Sequence, residues 1–254
     1  MTFALYPSLQ DKVVLVTGGA SGIGADIVRG FAMNHARVAF LDIEEKMAGA
    51  LVDSLAGARH RPVFHNCDLT DIAALQASIA AIGERLGPVG VLVNNAANDD
   101  RRAIAAVTPD YWDWSQAINL RPQFFAAQAV HPHMRQLGGG SIINLSSIIW
   151  RIGAEETVAY GTAKAAIAGL TRTLGKAWGP DNIRVNAIEP GAVMTEKQRA
   201  LWYRSEAAVA AMVSRQAIPH VLLGEEIART ALFLAADDSR MITRQSIIVD
   251  AGLS

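Results

Sequence analysis

Lys12-Val13-Val14-Leu15-Val16-Thr17-Gly18-Gly19-Ala20-Ser21-Gly22-Ile23-Gly24 is the stretch whose reading decides the fold. Its first six residues are rich in β-branched apolar side chains, the pattern of a strand buried on both faces. A glycine-rich turn follows, and an amphipathic segment then runs to about Asn34. Strand, glycine turn and helix together make a setting in which a diphosphate binds. Glycines let the backbone approach closely, and a helix N-terminus offers unpaired N–H groups and positive potential. The spacing Gly18-x-x-x-Gly22-x-Gly24 is one residue longer than the common dinucleotide fingerprint, and glycines at such turns also serve purely structural ends.

The pattern repeats outward from this stretch. Residues 36–41, 62–66, 89–93, 141–145, 183–188 and 246–249 read as further strands. Residues 43–55, 72–86, 157–178 and 225–236 read as helices, with Asp71 placed to cap the second of them. Thr108-Pro109 has the form of an N-cap followed by proline at the first helical position, opening a helix to about Leu137. Pro122 and Pro132 are expected to bend or interrupt it. Strands alternating with helices through short connections predict parallel βαβ units. The expected architecture is a Rossmann-type, doubly wound parallel sheet of about seven strands with helices on both faces. Residues 1–254 are expected to form a single domain, because no linker or repeat of fixed period divides them.

Composition sets outer bounds. The 254 residues carry a net charge of −1, which gives no reason to expect nucleic acid or an anionic membrane as partner. One cysteine, Cys67, excludes an internal disulfide and fits a reducing compartment. No apolar run is long enough for a membrane span, and residues 1–10 lack the pattern of an export signal, so a cytoplasmic location is expected.

Two further features sharpen the glycine loop. Asp42 ends the second strand about 20 residues past the loop, where a carboxylate accepts hydrogen bonds from a ribose diol and repels a 2′-phosphate. Ser21 supplies no compensating positive charge, so NAD is expected over NADP. Glu44 and Glu45 read as solvated acids at a helix start. Asp68, after the third strand, is a candidate partner for an adenine amino group, and Asn94-Asn95-Ala96-Ala97 ends the fourth strand on the same carboxyl edge. Tyr160 and Lys164 stand four apart on a helix and share a face. A cation beside a phenol favours the phenolate, making Tyr160 a candidate acid/base. A half-buried helix with a tyrosine and a snorkelling lysine would give the same spacing.

With the glycine loop, Asn94-Asn95-Ala96 and Tyr160-x-x-x-Lys164 in this order, the chain resembles the short-chain dehydrogenase/reductase family, from Lys12 to Val249-Asp250-Ala251-Gly252. The resemblance implies a catalytic set of Asn119, Ser147, Tyr160 and Lys164, with Ser147, thirteen residues before Tyr160, favoured over its neighbour Ser146. Ser147 would hold the reacting oxygen and Tyr160 would move its proton. Lys164 and the positive nicotinamide would together lower the phenol's pKa, Lys164 would also hold the nicotinamide ribose, and Asn119 would position a relay water. Gly18, Ser21, Gly22, Ile23, Gly24, Asp42, Cys67, Asp68, Asn95 and Ala96 would bind the dinucleotide, as would Pro190, Gly191, Val193 and Thr195. The family transfers hydride directly, without metal or flavin. Its members are often tetramers, which would pair the long helices. Ala97, Arg244 and Ala251 stand where the family commonly has glycine. A nucleotide-sensing regulator on the same fold is the rival of another class, and the complete catalytic set argues against it.

The expected substrate wall is polar: Asn98 to Arg102, Trp150, Arg151, Glu155, Glu189, Gln198, Arg199, Trp202 and Tyr203. It suits a small polyhydroxylated molecule, contacted by Ser147, Trp150, Arg151, Glu189, Gln198, Arg199 and Trp202. Residues 193–216 would cover it. Tyr6-Pro7-Ser8-Leu9, Asn98-Asp99-Asp100-Arg101 and Thr195-Glu196-Lys197-Gln198 are similar to bacterial sugar dehydrogenases. Arg151 and Arg199 could each hold a carboxylate, which favours oxidation at C4 of a 2-keto-3-deoxy sugar acid, such as 2-keto-3-deoxy-L-fuconate, to a 2,4-diketo acid. The alternative is an aldose 1-dehydrogenase of xylose or fucose type, giving the lactone.

Overall fold

The computed structural model describes residues 2–254; the reading of the amino-terminal stretch lies outside it at Met1 alone. Seven strands form one parallel sheet in the order β3-β2-β1-β4-β5-β6-β7. They are β1 (Val13–Thr17), β2 (Arg37–Asp42), β3 (Val63–Asn66), β4 (Val91–Asn94), β5 (Gly140–Leu145), β6 (Ile183–Pro190) and β7 (Ser246–Val249). The helices are α1 (Gly22–Met33), α2 (Glu45–Ser54), α3 (Ile72–Leu86), α4 (Pro109–Asn119), α5 (Arg121–Gln136), α6 (Ile149–Ile152), α7 (Val158–Trp178), α8 (Glu196–Leu201), α9 (Glu206–Val213) and α10 (Gly224–Ala235).

Alternation along each central strand sends side chains to two cores. Val14 and Val16, with Val38, Phe40, Val91 and Val93, pack against Ile27, Val28 and Phe31 of α1 and Ile227, Ala231 and Leu232 of α10. Val13 and Leu15, with Ala39, Leu41 and Leu92, meet Leu75, Ile79 and Ile82 of α3 and Val130 and Met134 of α5. Because β1 serves both cores, all five of its residues are buried, as its unbroken apolar run requires. Strand order reverses direction between β1 and β4, so the loops leaving their carboxyl ends diverge and open a crevice.

The segment read as one helix from Thr108 is two. Thr108 caps α4 by accepting from Tyr111 N at 3.2 Å. The break falls at Leu120 (φ −124°, ψ −55°), and Pro122 sits in the first turn of α5, where no intrahelical donor is needed. Pro132 lies inside α5 without ending it. Asp71 caps α3 through Ala74 N at 3.0 Å, as its position predicts.

Arg244 (φ 63°) and Ala251 (φ 57°) adopt left-handed backbone, which accounts for glycine being usual at both places. Left-handed geometry costs an L-residue roughly 1–2 kcal/mol, part of which glycine gives back as unfolded-chain entropy. Ala251→Gly is therefore expected to raise stability by about 0.5–1 kcal/mol in urea denaturation; a loss of stability would contradict this account. Among the described residues no helix is long and apolar enough to cross a membrane.

Candidate active site

A cavity of about 1360 Å³ runs along the carboxyl edge of the sheet. At one end it is walled by Asp42, Cys67 and Asp68, in the middle by Gly18, Asn95 and Ala96, and at the other end by Ser147, Tyr160 and Lys164.

The glycine loop is built for close approach. A Cβ on Gly18 would lie 2.7 Å from Ala96 Cα, and one on Gly24 would lie 1.8 Å from Gly18 O. Asn95 fixes the opposite wall. Its Nδ2 donates to Thr17 O at 3.0 Å and Gly18 O at 2.8 Å, and its N–H donates to Thr17 Oγ1 at 3.0 Å. Ser21 makes no side-chain cap, which leaves the first N–H groups of α1 for an external acceptor. Asp42 is held by three backbone donors: Ala20 N at 2.9 Å, Ile43 N at 2.8 Å and Glu44 N at 3.1 Å. A carboxylate so held presents its remaining lone pairs to the cavity in a fixed orientation. Asp68 accepts from Thr70 N and Oγ1, both at 2.8 Å. Cys67 is buried, and burial pushes its thiol up. Ile23, Pro190, Gly191, Val193 and Thr195 also line the cavity, whereas Gly22 lies behind its wall with Thr195 Cγ2 nearby. These features fit an extended dinucleotide with its diphosphate over the loop.

At the inner end, Ser147 lies close enough to Tyr160 for its hydroxyl to lower the phenol's pKa, and it accepts from Ile149 N at 3.2 Å. Ser146 points away, donating to Lys164 O at 2.6 Å, a supporting role that fixes α7 against the β5 loop. Lys164 is buried, with Nζ donating to Leu145 O at 2.7 Å and lying 5.4 Å from the Tyr160 ring centroid. Burial lowers the Lys164 pKa to about 7, with the Asp99 carboxylate pulling the other way. The phenol departs from expectation. Tyr160 keeps part of its surface toward the cavity, but the protein packed around its ring raises its pKa. Asp99 adds to that rise, and the Ser147 hydroxyl and Arg101 charge only partly offset it. A lysine held on a backbone carbonyl and easily deprotonated does not lower the phenol by itself.

Asn119 also departs from expectation. It is fully buried and off the cavity wall, and its amide is spent inside the protein. Oδ1 accepts from Asn98 N at 2.8 Å, while Nδ2 donates to Asn98 O and Ser115 O, each at 3.0 Å. Both backbone groups of Asn98 are thus clasped. The residue fixes the loop after β4 and has no side-chain donor left for a relay water.

Of the expected substrate contacts, Ser147 and Gln198 reach the cavity, and Trp150, Arg151, Glu189, Arg199 and Trp202 do not. Glu189 is fully buried beneath the Ser147 loop and binds Arg151 Nε at 2.5 Å, so neither is free for a ligand. Trp150 stacks under the same guanidinium at 4.4 Å. Arg199 pairs outward with Glu206 at 3.2 Å. Trp202 lies behind Arg101 as a stacking surface at 3.8 Å. The wall is made instead by Asp99, Arg101, Ile149, Ile152, Tyr203, Met212 and Arg215. Asp99 matters most. Its Oδ1 accepts from Lys197 Nζ at 2.9 Å and its Oδ2 from Gln198 Nε2 at 2.7 Å, tying the loop after β4 to α8. Burial would raise the Asp99 carboxyl, yet these two partners hold it below the usual range. The charged run 98–102 just past a carboxyl-edge strand was the signal for Asp99 and Arg101; nothing comparable marks Met212 or Ile152.

Comparison with known proteins agrees with this geometry. The family described as Enoyl-(Acyl carrier protein) reductase matches residues 18–254. The chain is 48% identical over 249 residues to "Probable galactose dehydrogenase GalD" of Rhizobium meliloti (strain 1021), covering 98% of this chain and 97% of that one. It is 46% identical over 252 residues to D-xylose 1-dehydrogenase of Caulobacter vibrioides (strain NA1000 / CB15N), covering 99% of both. Among solved structures, a blue fluorescent protein from a metagenomic library, in complex with NADPH, superimposes with a TM-score of 0.89 at 34% identity. That match covers 97% of this chain and 99% of the other.

Proposed function

We propose that this chain, which belongs to the short-chain dehydrogenase/reductase family and is an oxidoreductase acting on CH–OH groups, oxidises the anomeric carbon of an aldose to the lactone with NAD. The observation that carries the reading is the convergence of Ser147, Tyr160 and buried Lys164 at the inner end of a polar-walled cavity. Ser147 holds the anomeric hydroxyl, and Tyr160 accepts its proton as the carbonyl forms. Lys164 anchors the ribose nearest the reacting carbon. The glycine loop and the start of α1 take the diphosphate, Asp42 the adenosine ribose, and Asp68 the adenine edge. When bound, the nicotinamide supplies the hydride acceptor and brings a positive charge that adds to those of Lys164 and Arg101. Asn119 acts by positioning Asn98, and through it Asp99.

Relatives named for galactose and D-xylose oxidation support the aldose over a 2-keto-3-deoxy acid. The residues agree, because the two arginines that favoured C4 oxidation, Arg151 and Arg199, are taken by Glu189 and Glu206. NAD over NADP rests on the Asp42 carboxylate, which would face a 2′-phosphate. The reading further includes a cytoplasmic homotetramer with no nucleic-acid or membrane partner, its state measurable by light scattering.

The test is NADH formation across D-galactose, D-xylose, other aldoses and 2-keto-3-deoxy acids. Expected are lactone products from aldoses, kcat/KM at least about tenfold higher with NAD than NADP, and a reduced gap in Asp42→Ala, since one removed repulsion is worth about 1.4 kcal/mol per tenfold. Turnover confined to keto acids, or a preference for NADP, would overturn it.

A further inference from the structure

The charges around the substrate end of the cavity balance except at two arginines, Arg101 and Arg215. Asp99 is neutralised by Lys197 and shared with Gln198. Asp100 receives Arg102 Nε at 3.4 Å. Arg101, between these two acids in sequence, has no carboxylate within salt-bridge distance among the described residues. Its Nε is shut off from solvent and has no acceptor among the protein's own atoms. That N–H is closed to a ligand as well, so an acceptor in the cavity meets the terminal nitrogens of the guanidinium, which have no hydrogen-bond partner among the described residues.

The side chain is also fixed. The Arg101 guanidinium lies over the Trp202 ring at 3.8 Å, which leaves its in-plane N–H edge to donate. Arg215, just past α9, lines the same wall, again without a carboxylate among the described residues. Arg101, Tyr203 and Arg215 line one wall of the cavity, and both guanidiniums are near enough to oppose the rise that burial gives the Tyr203 phenol.

We propose that Arg101, supported by Arg215, is a carboxylate subsite, and that the best substrates are aldoses carrying a carboxylate away from the reacting carbon, the hexuronates. The inference rests on the aldose reading above and deepens it. A planar fork backed by an indole matches the two oxygens of a carboxylate. Asp99, one residue away, disfavours a dianion such as a sugar phosphate more than a monoanion. The reaction balances as for a neutral aldose: the hexuronate loses its anomeric hydrogen as hydride and its hydroxyl proton to Tyr160, giving the lactone with its carboxylate unchanged.

The experiment measures kcat/KM with NAD for D-galacturonate, D-galactose and D-galactose 6-phosphate in wild type, Arg101→Met and Arg101→Lys, each checked for folding by thermal melting. Expected in wild type is a galacturonate-to-galactose ratio of about tenfold or more. Arg101→Met lowers that ratio by about 100-fold, and Arg101→Lys, which keeps the charge but loses the fork, by about tenfold. A wild type that prefers galactose or the phosphate, or a ratio unmoved by Arg101→Met, overturns the subsite. If no aldose of any kind is turned over, the aldose reading itself has failed. The subsite then stands or falls on calorimetric titration of NAD-saturated protein with D-galacturonate: binding lost in Arg101→Met supports it, and no binding in wild type overturns it.

Discussion

Tyr160→Phe is expected to lower kcat/KM by about 10³-fold while leaving the dinucleotide Kd within about twofold. The substitution keeps the ring and its place on α7, and removes one oxygen that shares the inner end of the cavity with Ser147. What disappears is the proton acceptor; the glycine loop, Asp42 and Lys164 are untouched. The packing that raises the phenol keeps Tyr160 protonated at neutral pH in the chain by itself. Its deprotonation therefore belongs to the loaded site, and steady-state rates should climb with pH in the presence of saturating aldose and NAD. Cofactor binding followed by tryptophan fluorescence, beside initial rates, separates the two effects. Substantial residual turnover in the variant would remove Tyr160 from the mechanism.

The second large effect is on stability. Burial holds the Lys164 pKa at about 7 in the folded chain, against 10.5 for an ordinary lysine. Between these values the unfolded chain binds a proton that the folded chain excludes, so the contribution of this group to stability rises with pH across that window. Below about 7 the penalty for burying the lysine is fully present. A displacement of this size corresponds to roughly 4–5 kcal/mol over the whole range. Lys164→Met should abolish turnover and also flatten the pH dependence of urea denaturation between pH 7 and 9. The variant leaves no orphaned acceptor, because Leu145 O still receives Gln123 Nε2 at 3.3 Å. An unchanged slope in the variant would place the titration elsewhere. Above pH 10 the sign reverses, because the raised Tyr160 holds its proton in the folded chain after the unfolded chain has lost it.

The parts that local rules determine were legible in the residues. β1 is apolar from Val13 to Val16 because it feeds two cores, and Gly18 and Gly24 must lack side chains because backbone occupies that space. Asp71 and Thr108 act within three residues of themselves. Tyr160 and Lys164 need only one helical turn to become neighbours. What escaped depends on pairings that no period encodes. Arg151 meets Glu189 across 38 residues, and Asp99 meets Gln198 across 99, so the arginines that looked free were taken and the one that mattered lay between two acids. Asn119 was placed correctly near the site, but only the loop's path past it shows that its amide serves the backbone of Asn98. In the chain by itself burial raises the Tyr160 phenol, and the depth of burial is not something the spacing of Tyr160 and Lys164 encodes.

Asp99 has a consequence for timing as well as shape. One carboxylate grips both an ammonium and an amide of α8, so moving that helix off the cavity means breaking an ion pair and a charge-assisted hydrogen bond together. Lys197 is half exposed and its share weakens as ionic strength rises, while the Gln198 share does not. Where product release waits on this helix, kcat is expected to rise with ionic strength; a kcat flat in salt would place the slow step elsewhere.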